Sequence, residues 1–598
     1  MKMNLLGNAA IAMGAKAAGV RFAAGYPGTP STEIMETLSK TEYAKNIHME
    51  WSINEKAAAE AAAGAAYSGQ RVLVTMKQVG LNVASDPVMC LAYIGVKGGM
   101  VIVVADDPGP ISSQTEQDTR AFAAYAHIPV LDPSSPEEAY EMTKYAFTLS
   151  EKIGRPVILR PTTKVCHASA TVEVSDEVYE YNPDGFVKNP KWVIFPPLSY
   201  RRHIENFKIY NTMEQDDCEY NRACAAPESK IGIVTGGVTT AIVSDVLRDL
   251  DLKIKRLIVG RPYPFPTAKA LDFAENVDEI LVLEELEPFI EEQLQRIIPG
   301  DKIKGKYTET VPTAGELRYE NIKNIICGFL GLGERAETAC VCDVTLPGRA
   351  PVLCAGCPHR ASFYAVKSAV KNRGKKAVYC GDIGCYTLGN AKPLETTDTC
   401  LCMGGGVTVA QGISSANPDT DAIAFIGDST FFASGMTGVA NAVYNRHNIT
   451  VCILDNRTTA MTGGQPHPGT GKTILKEDTV KIEIAGVLTA LGVGYVKECN
   501  PFDLEAATAT AIEALDYDGV SCIVFKAPCI AVAPKPCVYE VIDCIGCRRC
   551  INEIGCPAIS LNSDSGGNAV IDTQSCYGCG ICETVCKPGK IHKAGGAV

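Results

Sequence analysis

The sequence predicts a multidomain α/β protein with doubly wound parallel sheets, followed by a small C-terminal α+β domain. Three observations carry this. Ala-rich helical stretches such as EKAAAEAAAGAAYSG (55–69) alternate with short β-branched runs such as RVLVTM (71–76) and MVIVVADD (100–107). Runs of that kind, apolar throughout and bounded by turn residues, suit parallel strands buried on both faces. The alternation also restarts twice, at KIGIVTGG (230–237) and at RAPVLCAGCPHR (349–360), and a cysteine-rich segment of about sixty residues closes the chain.

A chain of 598 residues holds roughly three to five domains. Residues 1–170 form the first α/β domain. Residues 171–230, rich in Pro, Tyr, Asn and charge with little periodicity, read as a linker. A second α/β domain spans 231–330, with strands near IGIV, IKRLIVG and EILVLEE. A second linker covers 331–350. The third α/β domain, 351–536, has strands near AVYCGD, AIAFIGD, TVCILDN and SCIVFKAP, and the tail occupies 537–598.

With 46% hydrophobic and 21% charged residues the composition is that of an ordinary globular protein. The net charge of −12 argues against nucleic acid as the main partner, because phosphate neutralisation needs clustered Lys and Arg. Lys2, Lys16 and Arg21 interrupt the mildly apolar N-terminal stretch, so no membrane span is expected there. Twenty-six cysteines suit the reducing cytosol as free thiols or metal ligands, not disulfides.

Within 351–536, the segments AIAFIGDSTFFASGM (422–436) and ITVCILDNRTTAMTGG (449–464) each end an apolar strand with oxygen-bearing side chains. Ligands bind at such C-terminal strand ends in open α/β sheets. Asp428, Asn456 and the carbonyl of Thr458 offer hard oxygen ligands for Mg²⁺, and Gly427 lets the backbone approach a diphosphate. G-D-S, twenty-five residues, then D-N resembles the thiamine diphosphate motif, with Ser429 and Asp455 departing from its usual G-D-G and N-N. The plainer reading is two strand ends with turn residues.

Thiamine enzymes also use a carboxylate that protonates the aminopyrimidine ring. NEKAAAEAAAG (54–64) resembles the pyrimidine-binding pattern, which makes Glu55 the activator and Gly64 its companion, with Glu50 and Glu60 as fallbacks. Ser52 to Glu55 also reads as a capping box with Glu at N3. AGYPGTPST (24–32) resembles the substrate-side loop of 2-oxoacid:ferredoxin oxidoreductases and would put the Thr29 hydroxyl near the substrate. It is equally a Pro/Gly turn before a helix capped by Ser31 or Thr32.

The tail carries SCYGCGICETVCKP (575–588), the C-x2-C-x2-C-x3-C-P run of bacterial ferredoxins. Its first half, DCIGCRRCINEIGCP (543–557), keeps the first three cysteines but puts five residues before the last Cys-Pro. In two-cluster ferredoxins the fourth Cys of each run serves the other cluster. Cys544, Cys547, Cys550 and Cys586 are therefore assigned to one [4Fe-4S], and Cys576, Cys579, Cys582 and Cys556 to the other. Two zinc knuckles are the rival reading, although zinc sites rarely use that spacing. Cys354, Cys357, Cys385 and Cys529 resemble the proximal-cluster ligands of pyruvate:ferredoxin oxidoreductase and could hold a third [4Fe-4S]. Four reduced thiols are the alternative. On this resemblance His359 contacts the diphosphate.

Over nearly its whole length the chain resembles the large, alpha subunits of indolepyruvate:ferredoxin oxidoreductases. The resemblance implies a thiamine diphosphate and Mg²⁺ enzyme that oxidatively decarboxylates aryl pyruvates with coenzyme A and passes electrons to ferredoxin. It also implies a small second subunit in an αβ or α2β2 assembly. A non-oxidative thiamine-dependent decarboxylase or carboligase shares the thiamine motifs but has no use for the tail. An electron-transfer module on an inactive scaffold is the third possibility.

Overall fold

A computed structural model describes residues 1–216, 218–332, 348, 350–534, 537–562 and 567–595. It divides into two compact units, Met1–Val341 and Cys342–Val598.

The first unit opens with a six-stranded, all-parallel sheet. Its spatial order is His48–Trp51, Phe22–Gly25, Val72–Lys77, Met100–Ala105, Val157–Leu159 and Val130–Leu131. The chain runs from Phe22–Gly25 outward to His48–Trp51 and then crosses back to Val72–Lys77, so the strand order reverses between Phe22–Gly25 and Val72–Lys77. The central strand Met100–Ala105 is buried at every residue, and its neighbour Val72–Lys77 at all but the terminal Lys77. The helix Glu55–Tyr67 packs its alanines Ala58, Ala59, Ala62, Ala63 and Ala66 onto the same core. Small side chains there let helix and sheet approach closely.

A second sheet in this unit has five strands in the order Ile303–Lys304, Glu279–Leu283, Ile231–Gly236, Lys255–Val259 and Asn221–Cys224. The last is antiparallel to its neighbour. This corrects the expected linker over 171–230, which contains that strand and a twenty-residue helix, Pro196–Gln215. The helix buries only Asn206, Tyr210 and Met213, while Phe195, Tyr200, Ile204 and Phe207 stay exposed. It therefore has no apolar stripe for periodicity to reveal.

Buried ion pairs brace the first sheet at its strand ends, and one of them, Arg120–Glu284, reaches across to the second sheet. Arg160, 2% exposed, holds Asp106 at 2.6 Å and Asp132 at 3.1 Å. Arg120 holds Asp118 at 2.6 Å and Glu284, just beyond the strand Glu279–Leu283, at 2.7 Å. Such pairs matter through the charges they would strand if broken.

The second unit is built on a five-stranded parallel sheet in the order Ala377–Cys380, Asp421–Gly427, Ile449–Asp455, Val520–Lys526 and Tyr495–Cys499. Its tail has two antiparallel pairs, Tyr539–Val541 with Ile591–Lys593 and Ile559–Asn562 with Asn568–Ile571. Two short helices, Arg549–Asn552 and Ile581–Val585, complete it. Tail residues share one apolar cluster with Ala361 and Leu504 of the sheet domain. The Arg360 side chain donates to the carbonyls of Ile554 and Gly555 at 2.7 and 2.8 Å. No helix among the described residues is long and apolar enough to cross a membrane.

Replacing Arg160 with Met leaves Asp106 and Asp132 buried without their cation. It should destabilise the first unit by about 3–5 kcal/mol, read as an earlier denaturant midpoint at unchanged slope, whereas an exposed control such as Arg248→Met should move it by less than about 0.5 kcal/mol.

Candidate active site

In the first unit the structure places Glu55 as the first residue of its helix, with Asn54 as the cap: the Asn54 side chain accepts from the Ala57 amide. The expected capping box is absent, because Ser52 instead donates to Glu50 at 2.6 Å. Glu55 thus has no capping duty. Its carboxyl is buried, and a Cβ on Gly80 would come within 2.4 Å of it, so a glycine there is what gives the carboxyl room. Burial pushes the group up to about 7, against the smaller opposing effects of its own amide and of Lys77. The fallbacks are committed elsewhere at the surface: Glu50 lies 2.8 Å from His48, and Glu60 pairs with Lys56.

Thr29 lies half-buried in the loop after Phe22–Gly25, and its carbonyl accepts from the Ser112 hydroxyl at 3.2 Å. Ser31 is the N-cap residue of the helix Thr32–Ser39, but its hydroxyl donates back to the Gly28 carbonyl and gives that helix no side-chain cap bond. Gly64 is exposed, and a Cβ there would meet nothing within 4 Å. Its glycine answers no packing demand among the described residues.

In the second unit Asp428 and Asn456 stand at the ends of adjacent parallel strands. Asp428 is 2% exposed. One of its oxygens accepts from the Ser429 amide and the other from the Arg457 amide, both at 2.8 Å. Arg457 has a left-handed φ of 61°, within the turn that carries its amide to Asp428. The Asn456 oxygen accepts from the Thr458 amide at 3.1 Å, and its nitrogen lies 3.2 Å from Nε2 of His359. Ser429 accepts from the Thr459 hydroxyl.

Asp455 is raised to about 6, first by burial and then by the charge of Asp428. The buried Asp428 carboxylate, with amide and carbonyl oxygens beside it, fits a hard divalent cation. Burial lowers His359 to about 4, so it is neutral at ordinary pH. Packing alone already requires glycine at position 427, because a Cβ there would lie 2.6 Å from the Tyr386 ring.

Three residues here escape sequence reasoning. His467 has a buried Nε2 3.2 Å from Asp428, without a hydrogen bond among the described residues. Asp382 is buried, accepts from the Gly404 amide at 2.8 Å and is pushed up to about 7 by burial. Tyr386 donates to the Ile383 carbonyl at 3.0 Å. GQPHPG (464–469) and CGDIGCY (380–386) carry glycines around them, but single His, Asp and Tyr residues have no spacing to give them away.

The tail thiols fall into two sets. Cys550 interacts electrostatically with Cys544, Cys586 and Cys547, and these four line a cavity of about 340 Å³ including its open mouth. Cys582 interacts with Cys579, Cys556 and Cys576, and these four line another of about 400 Å³. Each set therefore takes its fourth thiol from the other run. Backbone amides of Gly546 and Ala569 donate to the Cys544 sulfur and that of Lys590 to Cys586, at 3.3–3.4 Å. Among the described residues no three His, Cys, Asp or Glu side chains converge as a single-ion site would require. Four thiols around a cavity fit a multi-atom cluster.

Cys385 interacts with Cys529 and Cys354, and Cys354 with the buried Cys357, so the sheet domain's four thiols also gather. The Cys529 amide donates to the Asn456 carbonyl at 3.0 Å. On the other side, the Cys556 sulfur accepts from the Gly356 amide. Gly356 has a φ of 78°, and a Cβ there would sit 2.5 Å from Tyr577. Only glycine lets this loop lie against the tail.

Two family models match: "Pyruvate flavodoxin/ferredoxin oxidoreductase, thiamine diP-bdg" over residues 13–220 and "Thiamine pyrophosphate enzyme, C-terminal TPP binding domain" over 382–525. The indolepyruvate oxidoreductase subunit IorA of Thermococcus kodakarensis is 40% identical over 97% of this chain and 95% of its own. That of Methanothermobacter thermautotrophicus is 38% identical over 99% and 98%. The chain belongs to the indolepyruvate oxidoreductase IorA family. A solved 2-oxoglutarate:ferredoxin oxidoreductase from Magnetococcus marinus is similar at TM-score 0.46 and 17% identity, over 55% of this chain and 65% of that one. The family's two thiamine diphosphate domains thus contain Thr29 and Glu55 in one and Asp428, Asn456 and Thr458 in the other. Cys354, Cys357, His359, Cys529 and the tail lie outside both matches.

Because Glu55 keeps its proton to about pH 7 when folded against about 4.5 unfolded, the folded state binds more protons between these values. The group's contribution to stability is full below pH 4.5 and lost as pH rises through 7. Glu55→Gln, measured without cofactor, should therefore be more stable than the parent at pH 8 by about 2–4 kcal/mol. The gap should close toward pH 4.5.

Proposed function

We propose that this member of the family is a thiamine-diphosphate-dependent 2-oxoacid:ferredoxin oxidoreductase that oxidatively decarboxylates aryl pyruvates. Coenzyme A is the acyl acceptor, giving an aryl-acetyl-CoA and CO₂, and ferredoxin is the electron acceptor. The observation that carries the oxidative reading is the crossed pair of four-thiol sets in the same unit as Asp428 and Asn456. The Cys529 amide donates to the Asn456 carbonyl, and Cys385 and Cys354 near Cys529 would extend a path from there toward the tail thiols. A purely decarboxylating enzyme has no need for such a path.

When bound, the cofactors supply a nucleophilic carbon centre for the 2-oxo group and single-electron acceptors for the oxidation. Glu55, buried and raised to about 7, holds or releases a proton near neutral pH and would face the pyrimidine ring. Thr29 would lie on the substrate side. Asp428, Asn456 and the Thr458 carbonyl would hold Mg²⁺. Neutral His359, with Gly427 and Ser429 beside it, would border the diphosphate. Cys544, Cys547, Cys550 and Cys586 would hold one [4Fe-4S]. Cys556, Cys576, Cys579 and Cys582 would hold the second, and Cys354, Cys357, Cys385 and Cys529 a third. The relatives are named as subunits, which supports a small partner subunit in an αβ or α2β2 assembly. The many thiols suit the cytosol.

Anaerobic co-purification with the small subunit, followed by assay of indolepyruvate and phenylpyruvate, tests the proposal. The expected result is aryl-acetyl-CoA formed in step with viologen or ferredoxin reduction, with Glu55→Gln slower by about 10²- to 10⁴-fold. Release of the aldehyde without viologen reduction would make it a non-oxidative decarboxylase instead.

A further inference from the structure

Lys77 is a half-buried cation whose position the proposed chemistry has not yet used. It ends the strand Val72–Lys77, on the far side of the point where the first sheet's strand order reverses. The loop carrying Thr29 follows Phe22–Gly25 on the near side. Ligands in open α/β sheets settle in the crevice between two such strand ends.

The lysine's stem packs on Gly28, where an added Cβ would lie 3.0 Å from its Cδ. Among the described residues its ammonium reaches one acceptor, the Ser112 carbonyl at 3.4 Å, and the same Ser112 donates to the Thr29 carbonyl. An ammonium carries three donors, and no carboxylate forms an ion pair with this one among the described residues. Asp107 and Glu55 influence it from further off. Asp107 is already engaged: its oxygens accept from the amides of Ser112 and Ser113 and from the Thr163 hydroxyl. Glu55 is the residue set to exchange a proton with the pyrimidine. Beside Lys77, the buried Gln78 amide donates to the Thr115 carbonyl at 3.3 Å and leaves its oxygen unpaired among the described residues. The crevice therefore holds spare donors on one wall and a spare acceptor next to them.

We infer that Lys77 is the group that binds the carboxylate of the 2-oxoacid substrate, holding it between the Thr29 loop and Glu55. The inference rests on the function proposed above. A 2-oxoacid presents a carboxylate next to its 2-oxo carbon, and a cation placed between the Thr29 loop and the proton-exchanging Glu55 fixes the order of those groups. A charge-assisted hydrogen bond in a half-buried site is strong enough to dominate recognition of so small a head group. Lys77 is a binding residue in this account, and the aryl end of the substrate is recognised elsewhere.

The test uses the complete enzyme with its small subunit and both cofactors. Lys77→Met and Lys77→Gln should raise KM for phenylpyruvate by about ten- to hundredfold, with KM for coenzyme A and the Kd for thiamine diphosphate unchanged. Lys77→Arg should recover most of the loss. Inhibition by 3-phenylpropionate should weaken in parallel, while any inhibition by the neutral 3-phenylpropionamide should not change. An unaltered phenylpyruvate KM in both variants would overturn the inference, as would equal weakening of the acid and the amide. A higher Kd for thiamine diphosphate with an unchanged substrate KM would also overturn it, and would make Lys77 a partner of Glu55 alone. If the parent enzyme oxidises no 2-oxoacid, the proposed function itself fails, whatever the variants do.

Discussion

Cys556 follows Cys550 by only a short spacer, yet its thiol joins Cys576, Cys579 and Cys582, while Cys586 returns to Cys544, Cys547 and Cys550. This exchange constrains most of the second unit. A tail of about sixty residues has little apolar area with which to fold by itself, and here its thiols are part of the apolar cluster that includes Ala361 and Leu504. The stretched spacer of the first run carries the carbonyls of Ile554 and Gly555 to Arg360. Its extra length is thus put to use as the seat of the tail on the sheet domain. Arg360 belongs to the helix Pro358–Arg373, whose His359 lies beside Asn456, so the thiol cavity and the strand-end site share one rigid support.

The two units contribute different kinds of chemistry. In the first, a glycine at position 80 allows a carboxyl to be buried without a neutralising partner, which raises it into the physiological range. In the second, partial burial and then the charge of the buried Asp428 push Asp455 up. A single proton on Glu55 and a divalent cation near Asp428 are the simplest ways to satisfy these environments.

The parallel sheets and the strand-end motif were legible because they rest on periodicity and spacing. The β-branched runs predict strands that the structure contains, including Asp421–Gly427 and Ile449–Asp455. The motif spacing and the cavity linings point to the same grouping of tail thiols. Residues 171–230 were not legible, because the helix Pro196–Gln215 keeps most of its apolar side chains exposed. The cap of the helix that starts at Glu55 was misread by two residues, since both Ser52 and Asn54 are good caps and only tertiary contacts choose between them. At Gly427 the Tyr386 ring adds its own demand for glycine, which no local pattern foretells. His467 and Asp382 in the second unit, and Lys77 in the first, lie on loops and strand ends whose neighbours are set by folding alone.

The exchange of fourth thiols is most directly tested by iron and sulfide analysis with EPR on the reduced, anaerobically purified enzyme carrying Cys586→Ser. The account predicts that the signal of the set with Cys544, Cys547 and Cys550 is lost or converted. The signal removed by Cys579→Ser should remain intact. If Cys586→Ser and Cys579→Ser instead abolished the same signal and spared the other, each run would hold its own cluster and the crossed arrangement would be wrong.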